Sequence, residues 1–344
     1  MIAPSDRKYT DHTYRLSACT HSHHTRRYGD RMSYVRGTAE IVFALLLTMA
    51  AEWARDHVWT DWTGAEFSGQ KEWDYVWSQP AVENAETGFD KGHGGMVLAD
   101  FRQQLVEQVA AAGGGEELVP TLEEVAAARL YTGPAYVKLN GFMQLVGGVA
   151  ERHWRARLAQ LPDFTYSSTV FHLINAIRKL TQLAALQHAR GRARQGGGEA
   201  GEAGEAEAVM LYRGVRGELP DSFFEPDAQG FLTAVDFGFQ STSADREVTI
   251  GFMAPGAPNV LWVMHGSHGA DSAEQLHNGA VLQALSQFPA EAETLLPPLC
   301  MLRVLREGGD EDTTGAFRIA DKEGTNKKGE TVRFKEIHVR PCFV

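Results

Sequence analysis

The chain has 344 residues, 43% hydrophobic and 22% charged, ordinary globular values that exclude a wholly disordered, collagen-like or coiled-coil protein. With 33 Lys+Arg against 44 Asp+Glu the formal net charge is -11; an acidic surface repels phosphate backbones, so nucleic acid is not an expected partner. Three cysteines (Cys19, Cys300 and Cys342) cannot build a disulfide framework; the odd number argues for a reducing compartment and leaves open whether Cys300 and Cys342 pair.

Residues 1–87 read as an N-terminal extension, partly disordered. Its first 36 residues lack apolar periodicity and carry Cys19, His21, His23 and His24 in one short stretch, without the separated ligand pairs of a structural zinc site. A short apolar helix is expected at about 38–56, built on IVFALLLTMAA at 41–51. That run is well short of the roughly 20 residues that cross a bilayer, so an integral membrane protein is not expected. Were Met32 the true start, the same run would lie where a signal peptide has its apolar region; secretion is therefore the alternative to the favoured cytoplasmic location. Residues 53–77, rich in Trp, Gly and Asp, read as an irregular packed segment.

A helical part is expected over 88–188. LADFRQQLVEQVAAA at 98–112 stops at a glycine run, and Thr121 with Glu124 forms a capping box that opens the next helix. Over 168–188, Phe171, Ile174, Ile177, Leu180 and Leu183 recur at three-residue steps as one apolar face, extended by Val170, Ala184 and Leu186. Residues 190–207 are Gly/Glu-rich and read as a flexible loop. The G-x-G-x-x-G inside it, from Gly196 to Gly201, has no strand before it and no helix after it, so it is not a dinucleotide fingerprint. Over 208–344 the chain turns to short β-branched and aromatic runs at 209–215, 237–243, 259–265, 293–296, 301–305, 317–320 and 331–339. Helices first and strands second make an α+β protein rather than alternating βαβ units.

Three segments of the strand-rich part carry chemistry. Arg213 lies inside an apolar strand, where a guanidinium is costly unless it faces an anion or a carboxylate. Ser241 and Ser243, two apart in a strand, line one wall. Glu291 and Glu293, at a loop-to-strand junction, are expected to project to one side and to raise each other's pKa. Taken singly, each has a structural reading: an ion pair, a turn, a solvated face. Together, in this order, they ask for a common site.

The ordered set of a strand Arg, an S-T-S strand and an E-x-E strand resembles the R-S-E class of mono-ADP-ribosyltransferases, and its arginine-specific members in particular. The likeness covers roughly residues 90–344, from GGMVLADF near Gly95 through ARLYTGP at 128–134, FHLIN at 171–175 and NVLW at 259–262 to LSQF at 285–288. It implies an ADP-ribosyltransferase-like α+β fold over residues 88–344, with N-terminal helices packed on two β-sheets that form an NAD cleft. The implied activity is transfer of ADP-ribose from NAD, or NADP, to arginine side chains of a target protein with release of nicotinamide. NAD is then a substrate, with no permanently bound cofactor and no metal. By the same resemblance Arg213 binds the NAD phosphates and ribose, Gly214 presents backbone to the nicotinamide amide, and Ser241 orients the ribose and the catalytic glutamate. Glu293 stabilises the transition state, Glu291 serves the acceptor arginine, Phe252 stacks on nicotinamide, and Gln287 and Phe288 belong to the substrate-recognition loop. An NAD glycohydrolase on the same fold and a non-catalytic binding module are the alternatives. Elementary chemistry agrees with the enzyme. Loss of nicotinamide develops positive charge on the ribose, which a fixed carboxylate stabilises, and a protonated guanidinium needs a second carboxylate to take its proton.

Overall fold

The structure, a computed structural model, describes residues 48–54, 59–60, 66–147, 166–194, 209–266, 278–308 and 314–343. These form two compact units: the helices up to residue 194 together with 280–290, and the strands of 209–279 and 291–343. The Cys19 to His24 cluster, most of the apolar run at 41–51 and the Gly/Glu-rich stretch at 195–207 lie outside the described residues.

The helical unit contains α1 (Met49–Ala54), α2 (Gly69–Ser78), α3 (Leu98–Ala112), α4 (Leu122–Leu130), α5 (Tyr136–Val146) and α6 (Ser167–Arg194), and the short antiparallel pair β1 (Trp59–Thr60) and β2 (Glu66–Phe67). Its longest element, α6, buries Val170, Leu173, Ile177, Leu180 and Leu183. Phe171 and Ile174, expected on the inner face, are half-buried. Each three-residue step falls about 60° short of a full turn, so a run counted from Phe171 drifts, whereas 3-4-3 spacing from Val170 holds one face. The capping box on α4 is as expected: Glu124 N donates to Thr121 Oγ1 at 3.3 Å and Thr121 N to Glu124 Oε2 at 2.8 Å.

Two helices lie in the region expected to be outside the domain: α1 falls within the short apolar helix expected at about 38–56, and α2 within the stretch expected to be irregular. Part of the segment 53–77 is α2, capped by Ser68, which buries Trp73 and Val76 and stacks Trp73 on Trp77 at 4.8 Å. The 73-76-77 apolar spacing is helical but lies among polar residues that mask it. On α1, Trp53 is fully buried against Tyr166 at 4.7 Å between ring centroids. Beside it Glu52 caps the α6 N-terminus, accepting from Thr169 N at 3.0 Å and Thr169 Oγ1 at 2.7 Å. A carboxylate is favoured at that end of a helix, yet burial prevails and pushes the Glu52 carboxyl up to about 7. No helix among the described residues is long and apolar enough to cross a membrane.

The second unit contains β3 (Met210–Arg216), β4 (Thr233–Asp236), β5 (Gln240–Ser243), helix α7 (Arg246–Gly251) and β6 (Asn259–His265). After β7 (Ala280–Val281), which belongs to the helical unit, come β8 (Glu293–Leu296), β9 (Cys300–Val304), β10 (Ile319–Thr325) and β11 (Thr331–Phe343). One ladder runs β4-β9-β11-β6-β3, with β10 also paired to β11; all its pairs are antiparallel except β11 with β6. A second ladder, β5 with β8, joins the first through one register pair, Tyr212 with Ser243. The two sheets expected are thus two ladders of one hydrogen-bonded path. In the central strand β6, Val260, Trp262 and Met264 enter one core with Leu211, Ala234, Leu296, Ile337 and Val339, while Leu261 and Val263 pack on the other side with Ile250, Met253 and Phe334. A strand buried on both faces reads as a continuous apolar run, which is why its ends were legible to the residue.

Candidate active site

Glu293 opens β8 directly opposite Ser243, with Leu295 opposite Ser241. Cross-strand partners share a face, so Glu293, Ser241 and Ser243 stand on one side of this ladder. Thr242 turns to the other, where its hydroxyl donates to Thr294 O at 2.6 Å. Glu293 is buried, and desolvation pushes its carboxyl up to about 7. The negative charge of Glu291 acts in the same direction, while the Ser241 hydroxyl, hydrogen-bonded to the carboxylate, and the positive charge of Arg213 oppose it. Glu52 has a carboxyl raised to the same extent in a structural cap; what distinguishes Glu293 is its company of Ser241, Glu291 and Arg213.

Glu291 is brought close to Glu293 by a route other than strand alternation. It ends the 3-10 turn Pro289–Glu291, and Ala292 takes a left-handed φ of 46°, so the pair is set by a turn. The second serine secures that turn: Ser243 Oγ donates to Glu291 O at 3.3 Å and accepts from Asp245 N at 3.1 Å. Glu291 is exposed, yet partial desolvation by its surroundings raises its carboxyl too, and the positive charge of Lys327 lowers it. Lys327, on the turn between β10 and β11, places its ammonium 3.6 Å from the ring centroid of Phe252. Neither the Ser243 tether nor Lys327 was indicated by the sequence, because each contact joins elements far apart in the chain.

Arg213 projects from β3 and donates through Nη1 to Ser241 O at 3.0 Å and through Nη2 to Asp236 Oδ2 at 3.3 Å. The structural reading of a strand arginine, an ion pair, is therefore realised with Asp236, whose own carboxyl is raised by burial and held down by Arg213 and Gly238 N. The guanidinium has five N–H donors and remains about a quarter exposed, so these two bonds do not exhaust it. Because β3 and β4 are at opposite ends of the first ladder, this ion pair also shows that the sheet curls round its inner core. At Gly214 a Cβ would meet Thr249 Cγ2 at 3.1 Å and Thr249 O at 3.3 Å, so the residue lets α7 pack closely on β3. Phe252 caps α7 with an exposed ring, and its carbonyl accepts from Arg216 Nη2 at 2.8 Å. Phe252 is linked to the pair through Lys327, whose ammonium lies over its ring and whose charge lowers the Glu291 carboxyl.

Gln287 and Phe288 belong to the helical unit. Gln287 is fully buried and donates through Nε2 to Glu72 Oε1 at 3.0 Å and to Arg129 O at 2.8 Å. Phe288 is half-buried and meets Phe89 edge-on at 5.6 Å. The structure thus gathers Arg213, Ser241, Glu291 and Glu293, places Gly214 and Phe252 around α7, and holds Gln287 as an interior side chain. Cys300 and Cys342 are both free thiols on the paired strands β9 and β11. Among the described residues no group of three or more His, Cys, Asp or Glu is arranged to hold a metal.

No protein-family model and no curated protein sequence matches the chain. Among solved structures it is similar to the ADP-ribosyltransferase HopU1 of Pseudomonas syringae pv. Tomato DC3000, with 16% identity, 93% of this chain and 100% of that one covered, and a TM-score of 0.41. The Vis toxin, an ADP-ribosyltransferase from Vibrio splendidus, gives 16% identity over 78% of this chain and 90% of that one, with a TM-score of 0.37. The eukaryotic mono-ADP-ribosyltransferase ART2.2 gives 13% identity over 79% and 94%, with a TM-score of 0.35.

Proposed function

We propose that the chain is an NAD-dependent mono-ADP-ribosyltransferase that moves ADP-ribose to arginine side chains of a target protein. The observation that carries this reading is the Glu293 carboxyl: buried, balanced near neutrality, hydrogen-bonded to Ser241, and accompanied by Glu291 and Arg213.

Arg213 offers its unspent donors to the phosphates and ribose of NAD, held in direction by Asp236 and Ser241 O. Ser241 fixes the Glu293 carboxylate, and that carboxylate hydrogen-bonds the ribose beside the scissile bond. The bond from ribose C1′ to the nicotinamide nitrogen breaks with its electron pair passing to the ring, which leaves neutral nicotinamide and an oxocarbenium-like ribose. Glu293 stabilises this charge more than the ground state, and that difference is what accelerates the step. Glu291 orients the acceptor guanidinium and receives its proton as a guanidine nitrogen bonds to C1′. Glu291 ends a turn and is exposed, which suits a residue that meets a protein substrate, whereas the buried Glu293 suits the bond-breaking step.

The test is to follow nicotinamide release from NAD and ADP-ribosylation of agmatine in parallel. Glu293→Gln is expected to lower both by roughly 10²–10³-fold, the scale of losing one preorganised electrostatic stabiliser, while thermal unfolding still shows a folded protein. Nicotinamide release without agmatine modification by the wild type would assign the site to NAD hydrolysis instead.

A further inference from the structure

The segment that leads into Glu291 is held by a buried polar cluster drawn partly from residues outside the resemblance. Arg129 on α4 is 2% exposed and lies 3.9 Å over the Phe101 ring. Its guanidinium donates to both oxygens of the fully buried Asp90, at 3.0 to 3.2 Å, and through Nη1 to Leu285 O at 3.0 Å. Asp90 N donates to Gln287 O at 2.7 Å, and Tyr75 of α2 hydrogen-bonds the Asp90 carboxylate. Gln287 N donates to Thr132 Oγ1 at 3.1 Å, and its side-chain amide donates to Glu72 and to Arg129 O. At Gly133 a Cβ would lie 2.4 Å from Gln287 Nε2 and 2.6 Å from Glu72 Oε1, so no side chain fits there. Three of these contacts are made to backbone atoms of residues 285–287, namely Leu285 O, Gln287 N and Gln287 O, and no chemistry of the proposed reaction uses Glu72, Asp90, Arg129 or Thr132.

We propose that Glu72, Asp90, Arg129 and Thr132 are positioning residues that fix residues 285–288 and thereby preset the course of the chain into Glu291, the acceptor-side carboxylate; the inference rests on that reading of Glu291. Accordingly α2, read from the sequence as part of an N-terminal extension, supports acceptor transfer. Burial raises the Glu72 carboxyl, against the Gln287 amide and the charge of Arg129. Glutamine at this position keeps a side-chain oxygen that can accept from Gln287 Nε2 as Glu72 Oε1 does.

The experiment compares wild type, Glu72→Ala, Glu72→Gln and Thr132→Val in three measurements: nicotinamide release from NAD, agmatine modification, and hydrogen exchange at residues 286–291. In Glu72→Ala, nicotinamide release is expected to stay within about twofold while agmatine modified per nicotinamide released falls roughly tenfold, and amides at 286–291 exchange faster. Glu72→Gln restores both, which a loss of general stability would not produce. Unchanged ratio and unchanged exchange in a folded Glu72→Ala overturn the proposal, and Thr132→Val is read in its place should Glu72→Ala fail to fold. If the wild type modifies no agmatine, the reading of Glu291 is overturned, and the exchange measurement alone decides whether the anchor exists.

Discussion

Glu293 and Ser241 stand in the relation of an acid and its tuning group. The hydroxyl stabilises the carboxylate form, so Ser241→Ala removes a downward influence and leaves burial and Glu291 to raise the Glu293 pKa above about 7. Because the ionised form is the active one, the acid limb of the pH profile for nicotinamide release is expected near 7 in wild type and higher in Ser241→Ala; an unmoved limb would separate the two residues. Glu291→Gln is expected to spare nicotinamide release and to abolish agmatine modification, and equal loss of both contradicts the division of labour. At this scale the sequence showed which residue types were present and in what order. It did not show Asp236 as the partner of Arg213 or Ser243 as the tether of Glu291, because ion pairs and hydrogen bonds across strands leave no periodic trace.

Elements whose burial follows a simple period were legible. Helix 98–112 and strands 259–265 and 293–296 were found with their observed ends, and Thr121 and Glu124 marked the start of α4. Residues 69–77 read as irregular because the apolar positions of α2 lie among Gln, Lys, Glu and Asp. The E-x-E pair was expected to follow strand alternation and follows a turn instead, with Ala292 in the left-handed region. A β-branched residue is poorly tolerated at positive φ, so Ala292→Val is expected to destabilise the protein by roughly 1–2 kcal/mol in thermal or denaturant unfolding and to lower agmatine modification with it. Gly214→Ala forces Thr249 and α7 away from β3. An overpacking cost of about 1–3 kcal/mol is expected, measurable in the same way; a neutral result would mean that α7 yields easily.

Across the whole molecule, order along the chain decided what could be foreseen. Helices before strands identified the α+β class. The return of residues 280–290 to the helical unit was not visible, since nothing in a short segment between strands announces which core it joins. The buried carboxylates give the molecule a characteristic response to pH. Glu52 has a folded pKa of about 7 against an ordinary value near 4.5, so its contribution to stability is fully present below about 4.5 and is lost as pH rises through 7. Glu52→Gln is therefore expected to gain in melting temperature relative to wild type between pH 5 and pH 8, and a pH-independent difference contradicts the raised pKa. In the function proposed above, Glu293 is the carboxylate through which NAD is broken and ADP-ribose passed to arginine. The direct test of this role is mass spectrometry of agmatine incubated with NAD and either wild type or Glu293→Gln: an ADP-ribosyl adduct is expected with wild type and its loss with a folded Glu293→Gln, whereas equal adduct from both proteins would rule the role out.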